Sequence, residues 1–315
     1  MIEINYKTPE NMGISSKNIL NYINILENSR LSTHDVIIMR GNSIVYEAYW
    51  APFNKDYNHR MYSVTKSFVA LAIGFLYQDG VIDLDDKIIN YFPDEAKKQT
   101  DIYMREQTIK DMLTMRTAKE PKNWFKANTD DRVRFYFEND DLISRPSGTI
   151  FQYDSSASFV LGALVEKVSG KSLIDNLKEN LFNKIGVSDG IDCLKCPGGH
   201  SWGDSGALCT ARDLLKIAKF VMDKGVLNGK QLLNTDFLNN AVSKLTDNNS
   251  GNLNEFDCQG YGYCIWRSYG NSFWFNGMGC QIALCIPDKD IIMVYNGDNQ
   301  GNNFAKKLLL IIFLT

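Results

Sequence analysis

The chain has 315 residues, of which 44% are hydrophobic and 23% charged, and a net charge of −3. That balance describes a soluble globular protein able to bury a large core, and it excludes disordered, fibrous and membrane-spanning classes. With no basic field and no Lys/Arg cluster interleaved with aromatic residues, nucleic acid is not an expected partner.

The N-terminus, Met1-Ile2-Glu3-Ile4-Asn5-Tyr6-Lys7, lacks the charged and apolar regions of an export signal, so a cytoplasmic protein is expected. Its seven cysteines are then expected as free thiols. Residues 15–27 place apolar side chains at Ile19, Leu20, Tyr22, Ile23, Ile25 and Leu26 behind a Ser-Ser start, which predicts an amphipathic helix. Asp35 to Arg40 and Ser43 to Trp50 read as a hairpin turned at Gly41-Asn42.

Val64 to Tyr77 is a long apolar helix stopped at Asp79-Gly80. The acidic run Asp83-Leu84-Asp85-Asp86 is a turn, because no calcium-loop spacing follows it. Thr108 to Met115 is a short helix. Trp124 and Phe125 lie in a loop that is expected to tuck beneath its neighbours. Arg145-Pro146-Ser147-Gly148 turns the chain into Tyr153-Asp154-Ser155, ahead of a helix over Ser156 to Val168 closed by Gly170.

Cys193 and Cys196 have zinc-knuckle spacing with His200 nearby, but a fourth ligand is missing and no metal or other cofactor is expected. The glycine-rich run Pro197 to Gly206 is a tight ordered loop, and Thr210 opens another helix, ended by Gly225. Residues 247–257 form a polar loop. Tyr261 to Tyr269, Ser272 to Phe275, Gln281 to Ile286 and Ile291 to Asn296 read as strands, followed by a buried terminal helix over Leu308 to Leu314. The two ends of the chain are therefore expected to build one antiparallel sheet flanked by helices, with a mainly helical part inserted. In residue terms this gives 1–80 with 205–315 as an α/β (α+β) sheet domain, 81–204 as the insert, and the site at their interface.

Chemistry is expected at Met61-Tyr62-Ser63-Val64-Thr65-Lys66. Three residues apart in a helix's first turn, the Ser63 hydroxyl and the Lys66 amine lie on one face and can touch. A serine needs a neighbouring base to become a nucleophile, and burial disfavours a lysine's charged form. The N–H of Ser63, at the positive end of the helix dipole, is one donor for a developing oxyanion. Spacing alone is weak evidence, since about one Ser-x-x-Lys arises by chance in a chain of this length. Tyr153, just ahead of a helix, is placed to enter a cleft and relay the serine proton.

Taken together, these stretches resemble the serine β-lactamase and penicillin-binding-protein superfamily, in its class C β-lactamase and D-alanyl-D-alanine carboxypeptidase branch with esterase and amide-hydrolase relatives. Ser63-Val64-Thr65-Lys66 matches the first motif and Tyr153-Asp154-Ser155 the second. The resemblance implies a β-lactamase/transpeptidase-like fold, Ser63 as acylated nucleophile, and Lys66 with Tyr153 as proton relay. Phe275-Asn276-Gly277-Met278-Gly279 aligns with the third motif, where Phe275 replaces a cationic or donor residue, and the N–H of Met278 would be the second oxyanion donor. Ser155, Phe275, Asn276 and Gly277 are the implied substrate contacts.

The expected partner is a small ester, amide or β-lactam-like molecule. The alternatives are a genuine β-lactamase or peptidase, with Arg267 replacing the lost cation, and a non-catalytic sensor. A Ser-His-Asp triad is not expected, since no histidine sits at a motif position and His59 is assigned to a surface or turn.

Overall fold

A computed structural model describes residues 1–139, 144–249, 256–302 and 304–308. The sequence alternates short β-branched runs near both ends with helical segments between them, and the strands assemble accordingly. Seven strands form the main sheet: β1 (Asn5–Tyr6), β2 (Thr33–Arg40), β3 (Ser43–Tyr49), β4 (Trp266–Arg267), β5 (Phe273–Gly277), β6 (Gln281–Ile286) and β7 (Ile291–Gly297). Their order is β1-β3-β2-β7-β6-β5-β4. All pairs are antiparallel except β1 with β3.

The ends of the chain meet where β2 pairs with β7, with Ile37 opposite Val294 and Ile38 opposite Met293. Every residue of β6 and of β7 is buried, so the centre of the sheet is covered on both faces. Helix α1 (Ser16–Asn28) buries Ile19, Tyr22, Ile23 and Leu26, while Leu20 and Ile25 of the expected apolar set are exposed.

Helix α2 (Val64–Gln78) is buried continuously from Val64 to Leu76. It is a core helix, and each fully buried Val, Leu, Ile or Phe on it contributes about 1.5–3 kcal/mol. It packs on helix α3 (Ser155–Ser169), which starts at an Asp154 cap and stops at Gly170 with φ +68°. Helix α4 (Ala211–Met222) opens with a Thr210/Asp213 capping box and covers β6 and β7.

Two expectations change. The strand expected over Tyr261 to Tyr269 shrinks to Trp266–Arg267, because the preceding backbone bonds elsewhere: Cys264 N–H to Leu113 O at 2.9 Å, and Tyr263 N–H to Ala241 O at 3.2 Å. Trp124 is buried as expected, but its neighbour Phe125 is exposed. The acidic run is a turn, with Asp83 N–H donating to Asp86 and Asp85 N–H to Asp83. The terminal helix expected over 308–314 lies outside the described residues from 309 on, as does the part of the polar loop at 250–255. Among the described residues no helix is long and apolar enough to cross a membrane.

Candidate active site

The site forms where the start of α2 meets β5. Met61 N–H bonds Ala207 O at 2.8 Å, and Ala207 N–H donates to the Thr65 hydroxyl at 3.0 Å, so the approach to α2 is tied to the strand Ala207–Cys209. Tyr62 adopts φ +46°, a left-handed conformation that a non-glycine residue holds only at a cost, and Ser63 follows as the N-cap of α2. From there the helix geometry puts Lys66 Nζ 3.0 Å from Ser63 Oγ.

Lys66 is 1% exposed and its second acceptor is the backbone O of Asp204 at 2.7 Å. Close packing of small residues delivers that carbonyl. A Cβ on Gly203 would meet Ser158 O at 3.1 Å and Val69 Cγ2 at 3.2 Å, so the loop lies hard against both α3 and α2. The Asp204 carboxylate, fully buried, accepts from Trp124 Nε1 at 3.1 Å and from the Ser205 hydroxyl at 3.1 Å. The glycine-rich loop and the Trp124 loop therefore hold the acceptor of Lys66, a role that sequence reasoning missed although both loops stood out.

Tyr153 reaches the site from the end of its turn. Its ring lies 5.1 Å from Lys66 Nζ and stacks on Trp266 at a centroid distance of 5.2 Å. Asp154 behind it is fully buried and accepts from Thr117 Oγ1 at 2.9 Å and Ala157 N–H at 3.1 Å; burial raises its pKa. Glu120, on the same side, is pushed up to about 7 by burial and then by the Asp154 charge, against a hydrogen bond from Gln152 and the charge of Lys66.

On the opposite wall a Cβ on Gly277 would sit 2.3 Å from Met61 O, so only glycine lets β5 come this close to the approach to Ser63. Met278 follows, 54% exposed at the rim. Ser63, Tyr153, Asn276, Gly277 and Met278 line one cavity of about 260 Å³ together with Lys306.

Other expected contacts fall elsewhere. The Phe275 side chain is fully buried and does not line this cavity, because the alternation along β5 turns it into the core; nor does Ser155, the first residue of α3. Arg267 donates to the carbonyls of Val242, Asn271 and Gly270 and is absent from the cavity wall. The cation beside the cavity is instead Lys306, 5% exposed, paired with Asp257 at 2.6 and 2.7 Å and lying over the Trp274 ring. Asn276 Nδ2 also donates to Asp257, at 3.2 Å. Nothing in the sequence pattern singled out Lys306 or Asp257.

His59 is not at the surface. It is buried on the short strand His59–Arg60, with Nε2 2.8 Å from the buried Asp35 carboxylate. Cys193, Cys196 and His200 do not converge as ligands: His200 Nδ1 faces Glu166 at 2.7 Å, which raises its pKa, and Cys193 Sγ contacts Trp202 O at 3.7 Å. Among the described residues no group of three metal-ligating side chains occurs, and all seven cysteines are free.

The β-lactamase family model matches residues 26–311. The 6-aminohexanoate-dimer hydrolase of Paenarthrobacter ureafaciens is 24% identical over 224 residues, which are 67% of this chain and 57% of that protein. The chain thus spans little more than half the length of that relative. Among solved structures, a penicillin-binding protein from Bacillus halodurans is similar at a TM-score of 0.70 and 19% identity, covering 92% of this chain and 98% of that one. EstCE1, a hydrolase with promiscuous acyltransferase activity, is similar at a TM-score of 0.74 and 15% identity, covering 94% and 97%. These likenesses show a shared α/β fold with a mainly antiparallel sheet.

Proposed function

Because the chain belongs to the β-lactamase family, we propose that it is a serine hydrolase that forms a covalent acyl-enzyme on Ser63 and acts on a small ester or amide. The observation that carries this reading is the 3.0 Å contact between Lys66 Nζ and Ser63 Oγ, with Lys66 buried and held from behind by the Asp204 carbonyl. In this reading Lys66 takes the Ser63 proton as Oγ bonds to the substrate carbonyl carbon. Tyr153, over which Lys66 lies, passes that proton to the leaving group as the carbon–heteroatom bond breaks. The N–H groups of Ser63 and Met278 receive the oxyanion. Water then enters, gives up a proton to the same relay and bonds to the acyl carbon; the acyl–Oγ bond breaks, the relay returns the proton to Ser63 Oγ, and the acyl group leaves as a carboxylic acid.

The cavity of about 260 Å³ suits the reacting centre of a small substrate. Relatives support an amide or ester as substrate, the one from Paenarthrobacter ureafaciens being named for hydrolysis of a dimeric amide. The substrate-facing wall offers Asn276, Gly277 and Met278, and Lys306, which also lines the cavity, is paired with Asp257. Neither the Phe275 position nor Arg267 supplies a carboxylate anchor there.

The test is intact-mass spectrometry after exposure to a serine-directed fluorophosphonate. The expected result is one adduct on the native protein and none on Ser63→Ala. A native protein that stays unmodified while folded would remove Ser63 as a nucleophile.

A further inference from the structure

A second cleft adjoins the catalytic cavity and is larger, about 540 Å³ against about 260 Å³. The two share a wall made of three chain segments. Ser63 lines one and Tyr62 the other; Cys280 lines one and Gln281 the other; Asn299 lines one and Asp298 the other. The partition is held by Gln281 Nε2, which donates to Gly297 O at 2.6 Å. A ligand seated on Ser63 meets the second cleft on crossing this ridge.

The walls of the second cleft are rings. His34 stacks on Phe53 with centroids 3.6 Å apart, and Tyr57 stands edge-on to Phe53 at 5.0 Å. A chain of contacts fixes His34 from below: Asp35 to His59 at 2.8 Å, His59 Nδ1 to His34 Nδ1 at 3.4 Å, and His34 Nε2 to Ser32 Oγ at 3.4 Å. Burial and the neighbouring His59 lower the His34 pKa to about 4, so the imidazole is neutral near pH 7. The charges at the rim are engaged as well: Arg60 donates to Ser205 O at 3.1 Å and lies over the Tyr62 ring, while Asp298 accepts from Gln300 at 3.2 Å. The face left for a ligand is aromatic, His34, Phe53 and Tyr57, with Arg60 and Asp298 of opposite sign at its rim.

Building on the acyl-enzyme reading above, we infer that this cleft is a specificity subsite for the acyl arm of the substrate, and that it takes a planar, uncharged ring. The side of the substrate follows from the relay. The leaving group has to face Tyr153 and Lys66 to receive its proton, and neither residue lines the second cleft. The acyl arm is the part free to run over Tyr62 toward His34 and Phe53.

The experiment compares two esters with one leaving group, 4-nitrophenyl acetate and 4-nitrophenyl 5-phenylpentanoate, on the native protein, His34→Ala and the exposed-site variant Tyr57→Ala. The native protein is expected to favour the phenyl ester in kcat/KM by about tenfold. Both variants should lose most of that preference while hydrolysing the acetate within about twofold of the native rate. An undiminished preference in both variants, or none in the native protein, overturns the subsite. If Ser63→Ala releases nitrophenolate from both esters as fast as the native protein does, it is the acyl-enzyme reading itself that fails.

Discussion

Two buried lysines flank the same cavity and are treated in opposite ways. Lys66 faces a hydroxyl, a backbone carbonyl and an aromatic ring, with no carboxylate in hydrogen-bond contact among the described residues. Lys306 is clasped by both oxygens of Asp257 and backed by Trp274. A buried lysine whose acceptors include the hydroxyl of the proposed nucleophile is placed to exchange a proton with it. A buried lysine on a carboxylate is a cross-link. The residue type is the same, and its partners decide whether it does chemistry or holds structure.

The largest effect that tests this contrast is on stability. Lys306→Met removes the cation that both oxygens of the buried Asp257 carboxylate contact, and should cost about 3–5 kcal/mol in urea unfolding. A loss below about 1 kcal/mol would mean that the pair is screened by solvent and that the two lysines differ less than their partners imply.

Lys66→Ala should do the reverse, lowering turnover by at least about a hundredfold with a small change in unfolding midpoint. Combined with Tyr153→Phe, its effect should be far less than the product of the two, because both groups serve one proton path. Multiplicative losses would separate Tyr153 from Lys66.

The smallest effect comes from Glu120, whose pKa of about 7 in the folded protein exceeds its ordinary value of 4.5. The folded state binds this proton more tightly than the unfolded state does, so stability falls as pH rises from about 4.5 to about 7 and then levels off. Glu120→Gln should therefore match the native protein near pH 4 and exceed its stability near pH 8 by about 2 kcal/mol. Parallel stability curves for the two would mean that Glu120 is solvated.

What was legible in the sequence follows from what is local. Spacing of three within a helix turn brought Ser63 to Lys66, and alternating β-branched runs marked β2, β3, β6 and β7 close to their observed ends. Helix starts at Thr108 and Thr210 were also legible, and the structure closes each with a capping box contained within four residues. What was not legible depends on contacts distant in the chain. The acceptor at Asp204 lies 138 residues from Lys66, and the partner of Lys306 lies 49 residues back. His59 looked like a loop residue because its anchor, Asp35, belongs to another strand. Phe275 matched a motif position, but only the strand's pleat decides which side of the sheet it faces.

The meeting of the chain's two ends bears on when this protein becomes competent during its synthesis. Strand β7 lies between β2 and β6, so the early hairpin cannot join the β5 edge until residues 291–297 have left the ribosome. Ser63 and Lys66 are made roughly 220 residues before β7, the strand that joins the wall opposite them to the early hairpin. Such pairing between strands distant in sequence is slow to close, which leaves the apolar α2 without its complete sheet until β7 is made.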